Sequence, residues 1–338
     1  MKISVIIPVY DAEEWIEAAV LSVLEQDYPN LECVIIDDFG TDRSMDIVLR
    51  LRADHPRKQI MKIAVHALNL GLAGARNTGI TASTGEYIFY LDADDKLADT
   101  GTISAMAAAA EKYHPDLVQG NYLRVDPETG DKVISLYYNA STPCMDRDQI
   151  IENYGRLNFV NATNKLISRE FLSENHIMFY DGIIYEDALW AFHVYTCIKS
   201  VVTIPEVTYY HNLRHGSIMR SPVTEQKIDS LIFIVGKMCR SKQRDSNINQ
   251  SIAINSAYAL KSLFTEDFPA GFRSKKLREL LNTGVRKVRF NRKTLPPFSR
   301  RLSYALSLPL PLAMMYSWLL SNLYHVYKMK KNKADVKG

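Results

Sequence analysis

The chain has little of what many functional sites are built from. Its four cysteines, Cys33, Cys144, Cys197 and Cys239, are scattered, with no Cys-x-x-Cys and no histidine at metal-ligand spacing. This argues against a zinc site or a disulfide framework and fits a reducing, cytosolic setting. Neither a Walker loop nor a Gly-x-Gly-x-x-Gly occurs, so a P-loop ATPase or a dinucleotide dehydrogenase is not expected. No basic stripe with interleaved aromatics lies in the first 220 residues, so no nucleic-acid partner is expected. The N-terminus enters a strand pattern at Ile3 without the basic, apolar and small-residue regions of a secretory signal. There is no internal repeat and no low-complexity linker. The net charge of +3 is mild, but basic residues thicken toward the C-terminus. With 338 residues, 47% of them hydrophobic, the chain can build two domains, or one large domain with an appendage.

Strand and helix patterns alternate from the start. Ile3 to Ile7 reads as a buried strand ended by Pro8, and Asp11 is a candidate cap for the helix that follows. In that helix Trp15/Ile16, Ala19/Val20 and Val23/Leu24 make one apolar stripe. Leu31 to Ile36, Ile60 to Val65, Tyr87 to Leu91 and Asp116 to Asn121 read as further strands. Between them, about Asp42 to Arg52, Gly71 to Ala82 and Thr100 to Lys112 read as helices. This order predicts an α/β fold: a Rossmann-like, mostly parallel sheet with helices on both faces. Ligands of such sheets sit beyond the C-terminal strand ends. Further on, Val125 to Tyr138 suits a hairpin, Glu186 to Cys197 a helix, and Val201 to Ile204 and Thr208 to His211 two short strands around Pro205. Thr224 to Arg289 reads as a helical C-terminal region. The expected division is 1–220, 221–298 and 299–338.

The strand ends carry the chemistry. Tyr87 to Leu91 breaks into Asp92-Ala93-Asp94-Asp95, three carboxylates whose mutual repulsion a divalent cation would relieve. Carboxylate oxygens suit Mg²⁺ or Mn²⁺ and, through the ion, a phosphorylated ligand; a solvated acidic turn is the plainer alternative. Asp37-Asp38 closes the second strand, where one carboxylate could accept a nucleobase N–H, with Thr41 or Asp42 left to cap the next helix. Gly71-Leu72-Ala73-Gly74-Ala75-Arg76-Asn77-Thr78-Gly79 permits close backbone approach and puts Arg76 where it could meet a diphosphate, or simply solvent. Glu186 and Asp187 stand at a helix start, where the helix dipole favours a carboxylate in any case; facing the acidic turn, Asp187 could deprotonate a hydroxyl. Tyr209 to Ile218 has the composition of a loop that closes over phosphates.

Taken in order, these segments resemble the family 2 glycosyltransferases of the GT-A fold, from Ile3 to about Arg220. Pro8-Val9-Tyr10-Asp11 resembles the family's Pro-Val-Tyr-Asn opening. Ile36-Asp37-Asp38-Phe39-Gly40-Thr41-Asp42 resembles its Val-Asp-Asp-Gly-Ser-x-Asp, with Phe39-Gly40 departing from Gly-Ser. Gly71 to Asn77 resembles its arginine-asparagine helix and Asp92-Ala93-Asp94 its metal motif. Asn164-Lys165-Leu166 and Glu186-Asp187 resemble its acceptor-side motifs. The resemblance implies a nucleotide-sugar donor, most often a UDP-sugar, transfer with inversion, and Mn²⁺ or Mg²⁺. It implies that Pro8, Tyr10, Asp37, Asp38, Arg76, Asp92 and Ala93 line the donor site. It further implies that Asp94 and Asp92 hold the metal, and that Asp187, beside Glu186, is the general base. The 1–220 portion would be the catalytic domain. The Gln-x-x-Arg-Trp of processive members is absent, so sugars are expected to be added singly. A sugar-phosphate nucleotidyltransferase and a non-catalytic nucleotide-sugar-binding protein are the competing readings. The first would need a glycine-rich N-terminal loop, and the second would be marked by loss of Asp94 or Asp187; both acids are present.

Leu302 to Tyr324 contains no charged residue and is flanked by Arg300, Arg301 and by Lys328, Lys330, Lys331 and Lys333. Pro309, Pro311 and several serines argue against a spanning helix. Tyr304, Tyr316, Trp318 and Tyr324 suit a segment lying in an anionic membrane interface, and packing on the protein's own core is the alternative. By likeness to members with basic, apolar C-termini, the expected acceptor is a glycan or a polyprenyl-linked glycan in cell-surface polysaccharide assembly. The expected location is cytoplasmic, peripheral at the inner face of the cell membrane.

Overall fold

The computed structural model describes all residues except 126–131, 136–137, 155–156, 158, 214–220, 295–296, 321 and 323–338. In chain order its elements are β1 (Ile3–Val9), α1 (Ile16–Leu24), β2 (Leu31–Asp37), α2 (Ser44–Asp54), β3 (Met61–Val65), α3 (Gly71–Ala82), β4 (Tyr87–Tyr90) and β5 (Lys96–Leu97). Then come α4 (Thr102–Tyr113), β6 (Leu117–Val125), β7 (Lys132–Ser135), β8 (Thr142–Cys144), α5 (Arg147–Asn153), β9 (Lys165–Ser168), α6 (Arg169–Glu174), α7 (Glu186–Cys197) and β10 (Val201–Asn212). Helices α8 (Glu225–Cys239), α9 (Ser246–Thr265), α10 (Ala270–Asn282), α11 (Pro297–Leu302) and a helix over 310–320 follow among the described residues. Two compact units result: Met1–Gly182 with His193–Arg220, and Ile183–Phe192 with Ser221–Gly338.

In the first unit the strands are ordered β3-β2-β1-β4-β9-β6-β10-β5. The β3-β2-β1-β4 run is parallel, β10 is parallel to β6, and β9 lies antiparallel between β4 and β6. Two antiparallel steps restore direction, so β1, β2, β4, β6 and β10 all end at one pole, and β9 begins there. The expected hairpin is present as the antiparallel β6–β7 pair, and its turn falls outside the described residues.

Two prolines depart from expectation. Pro8 does not end β1, which runs on to Val9. Ile6 C=O accepts from Leu91 N–H and Val9 C=O from Asp38 N–H, so even-numbered residues face β4, which has already ended beside Pro8. The missing N–H therefore costs no ladder bond. Pro205 likewise sits inside one strand, β10, where the β6 register shifts between Thr203 and Val207. A bulge lets the strand continue past a residue without a donor. Asp11 does not cap α1 either. It adopts φ 44°, and its Oδ1 accepts from Thr41 N–H at 2.8 Å. Ser44 Oγ, at the start of α2, and Asp42 Oδ2, just before it, take the N–H groups of Ala12 and Glu13.

Helix α3 has the predicted bounds. It packs so tightly on β1 that a Cβ on Gly79 would lie 2.3 Å from Ile6 Cγ2, which is why a glycine stands there. In the second unit α8, α9 and α10 pack on one another through Ile228, Leu231, Leu260 and Leu277. The charge-free segment folds back on α9, burying Leu302, Ala305, Leu306 and Ala313. Among the described residues no helix is long and apolar enough to cross a membrane.

At the pole where β1 and β2 begin, Glu32 is buried and receives Ser4 Oγ–H, Thr84 N–H and Thr84 Oγ–H, with Lys2 Nζ at 2.7 Å and Lys62 Nζ at 2.8 Å. Burial by itself would raise this carboxyl, but the donors together hold it well below the usual carboxylate range. Its folded pKa is depressed, so its stabilising contribution is fully present above the unfolded value of about 4.3 and is lost as pH falls below that. Glu32→Gln is expected to lower stability at neutral pH by about 1–3 kcal/mol. The variant should also show a flatter loss toward acid than the parent, read from urea midpoints across the acid range. Parallel acid profiles would show that Glu32 is not the group responsible.

Candidate active site

The site grows from the end of β4. All four residues of that strand are buried, and the chain then crosses the ends of β9 and β6 to pair as β5 with Tyr209 and Tyr210 of β10. The crossing is the acidic turn, and β10 shapes it. Asp92 N–H donates to the Tyr209 hydroxyl at 3.2 Å, and that hydroxyl donates to Asp95 Oδ2 at 2.8 Å. Asn212 N–H donates to Asp95 Oδ1 at 2.8 Å, and Asn212 Nδ2 to the Asp94 carbonyl at 2.6 Å. His211 Nδ1 lies 3.1 Å from Asp95 Oδ2. Asp95 is thus withdrawn into the protein, 3% exposed, and burial pushes its carboxyl up despite these donors. The same hydrogen bond pulls His211 up.

Oxygens of Asp92, Asp94 and Asp95 lie within 4.8 Å of one another. Asp92 and Asp94 are half-buried and reachable, whereas both oxygens of Asp95 are already engaged. An all-oxygen donor set at this spacing fits Mg²⁺ or Mn²⁺, with Asp92 and Asp94 as ligands and Asp95 as their support. Ala93 is buried between them.

Arg76 is not on the surface. It is 1% exposed, its Nη2 donates to Asp92 Oδ1 at 2.8 Å, and its guanidinium lies 5.1 Å from the Phe179 ring centroid. Arg76, expected opposite a diphosphate, holds Asp92 in this structure. The next residue, Asn77, fixes Phe179 from both sides: its Nδ2 donates to the Phe179 carbonyl and its Oδ1 accepts from Phe179 N–H, each at 2.9 Å. One turn of α3 therefore holds both an acidic residue and the ring that backs its partner.

At the end of β2, Asp38 is 2% exposed. Its Oδ1 meets His66 Nδ1 at 2.7 Å and accepts from Leu70 N–H at 2.8 Å. Among the described residues Oδ2 takes no protein donor and remains available to an N–H of a ligand. Asp37, half-buried, accepts from Phe39 N–H. Phe39 stands where the family pattern has glycine and still adopts φ 63°, a conformation costly for a bulky residue. Pro8 is buried in β1, and Tyr10 just beyond it is exposed. Asn164 opens β9 at this same pole with φ 59°, its Nδ2 donating to the Gly120 carbonyl at 2.7 Å, and Lys165 beside it is buried. Both are committed to the protein's interior.

Glu186 and Asp187 open α7, whose predicted bounds are those observed. They belong to the second unit, where Ile184 N–H donates to Ser230 Oγ at 3.0 Å and the Tyr185 ring packs edge-on against Tyr258. Glu186 is buried and Asp187 half-buried. Of the loop expected from Tyr209 to Ile218, Tyr209 to Asn212 instead belong to β10, paired with β6, and the segment is described only to Leu213. Neither His66 nor Phe179 is marked by the sequence, and Tyr209 is marked only as part of a loop, not as a support of the acidic turn. Their roles follow from strand register and loop return, which leave no local signal.

Tyr209→Phe keeps the ring that packs on Phe89, at 6.2 Å between centroids, and removes only the hydroxyl joining Asp92 to Asp95. Mn²⁺ affinity by calorimetry is expected to fall about tenfold to hundredfold, as for other residues that orient metal ligands. Unchanged affinity with an unchanged melting temperature would deny Tyr209 this role.

Comparison with known proteins identifies the family and the fold. The model for glycosyl transferase family 2 matches residues 4–175, just over half of the 338. The glycosyltransferase GlyG of Streptococcus pneumoniae is 29% identical over 229 residues, covering 65% of this chain and 73% of GlyG. The poly(ribitol-phosphate) beta-N-acetylglucosaminyltransferase TarS of Staphylococcus aureus is 26% identical over 226 residues; the match covers 65% of this chain and 37% of TarS. A crystal structure of TarS residues 1–349 with UDP-GlcNAc superposes with a TM-score of 0.75 at 20% identity, over 96% of this chain and 92% of that one, and shares the GT-A fold. The chain belongs to glycosyl transferase family 2.

Proposed function

We propose that this glycosyltransferase moves one sugar, with inversion, from a UDP-sugar to a glycan or polyprenyl-linked glycan acceptor in cell-surface polysaccharide assembly. The observation that carries the reading is the acidic turn: two reachable carboxylates, Asp92 and Asp94, held at the strand-end pole by Arg76, Tyr209 and Asp95. A UDP donor is supported by the TarS complex with UDP-GlcNAc, and a polymeric acceptor by the name TarS carries.

Asp38 Oδ2 accepts an N–H of the base, and Asp37 and Tyr10 border it. Asp92 and Asp94 would hold a divalent cation, which would supply positive charge to the departing nucleoside diphosphate. Arg76 keeps Asp92 turned toward that position. The acceptor hydroxyl attacks the anomeric carbon on the face opposite the diphosphate. The bond from that carbon to the phosphate oxygen breaks, its electron pair leaves with the nucleotide, and the hydroxyl proton passes to Asp187, with Glu186 beside it. Asp187 lies in the first turn of α7.

Incubation with a panel of nucleotide sugars and Mn²⁺, reading released UDP or GDP, should single out a UDP-sugar; release from no donor in the presence of glycan-lipid extract would overturn the reading. Asp94→Ala is expected to abolish metal-dependent UDP binding, and metal-assisted binding that persists would remove it as a ligand. Asp187→Asn should cut turnover by about 10²–10⁴-fold while UDP binding stays near the parent's. A variant that still turns over at the parent's rate would remove Asp187 as the base.

A further inference from the structure

The helix over 310–320 is apolar on both sides. Ala313 and Ser317 are buried on its inner side. At about 100° per residue, Leu312, Met315 and Leu319 fall on the opposite side, with Trp318 next to them. All four are exposed, Met315 at 62% and Trp318 at 54%. A surface helix normally turns a polar face to water, and a contiguous apolar face there marks a contact.

The segment that leads into this helix is cationic. Between Glu279 and Asp335 the sequence holds no acidic residue, and Arg286, Lys287, Arg289, Arg292, Lys293, Arg300 and Arg301 all fall in that interval. The fold sets several of them against the apolar segment. The Arg292 guanidinium lies 4.9 Å from the centroid of the exposed Tyr304 ring and donates to Ser307 Oγ at 2.6 Å. Arg286 donates to the Leu308 carbonyl at 2.7 Å, and the Tyr316 hydroxyl to the Arg301 carbonyl at 3.1 Å. A shallow apolar groove between Phe264, Ala270, Met314 and Trp318 opens beside the helix.

We propose that this face, Leu312, Met315, Trp318 and Leu319 with Tyr304, docks on an anionic lipid bilayer. Aromatic and aliphatic side chains enter the interface, and the arginines and lysines around them meet lipid phosphates. The charge decides the occupant: an uninterrupted run of cations beside an apolar stripe complements an anionic surface, and it would repel the same face of a second copy. The helix lies in the interface without crossing it, as its inner side is packed on the protein. The inference does not depend on which sugar is transferred.

Because Leu302, Leu306 and Ala313 are buried, truncation would uncover the core, and point variants are the sound test. The full chain should float with vesicles of phosphatidylcholine and phosphatidylglycerol and stay behind with phosphatidylcholine alone. Binding should weaken as salt is raised. Trp318→Ser with Met315→Ser is expected to lower vesicle binding about tenfold or more. Arg289→Ser or Lys293→Ser should each lower it about fivefold. Vesicle partition that the apolar variants leave unchanged would overturn the proposal, as would its absence from anionic vesicles. A chain that is dimeric by light scattering, and that the apolar variants render monomeric, would overturn it too and assign the face to self-association. Flotation is read without turnover, so its failure is distinct from failure of the transferase reading.

Discussion

Three carboxylates within 4.8 Å repel one another, and the way the protein keeps them together shapes the rest of the site. Asp95 is taken out of competition: buried, it spends its oxygens on the Tyr209 hydroxyl, Asn212 N–H and His211. Asp92 is opposed by a buried guanidinium. Asp92 and Asp94 are the half-buried members of the group. A bound cation, as proposed, would relieve the repulsion, and the turn cannot relax by spreading because its backbone is fastened at Asp92 N–H and at the Asp94 carbonyl.

The two poles of the sheet do different work. At the strand beginnings Glu32 is fully satisfied by hydroxyl, amide and ammonium donors and welds β1, β2, β3 and the loop before β4 into one block. At the strand ends Asp38 Oδ2 takes no protein donor among the described residues, and Asp92 and Asp94 are half-buried rather than enclosed. Parallel strands make this division possible, since their ends gather loops from distant parts of the chain at one side. The long crossing from β4 to β5 uses it fully, carrying the acidic turn over β9 and β6 to β10.

Much of this was legible in the residues. Helices α3 and α7 have the bounds their composition predicts, because a glycine-rich entry and a pair of acids at a helix start are local signals. The strand-end acids were legible as a group for the same reason. Pro8 and Pro205 misled because whether a missing N–H matters depends on which neighbour lies beside it. Asp11 misled because the donor it meets, Thr41 N–H, is distant in sequence. Arg76 could equally have been a surface residue; only the approach of Asp92 and Phe179 makes it a buried one.

The sequence by itself determined the alternation of strands and helices, the acids that cluster after β2 and β4, and the charge-free segment bordered by cations. Each is a property of neighbouring residues, set by side-chain periodicity and backbone preference. Tertiary structure alone decided that Tyr209 bridges Asp92 and Asp95, that Arg76 and Asn77 share work with Phe179, and that the C-terminal helix buries Ala313 while leaving Trp318 in water. These depend on strand register and on which surfaces meet. Residues more than a hundred positions apart come within hydrogen-bonding distance only when the whole sheet has formed.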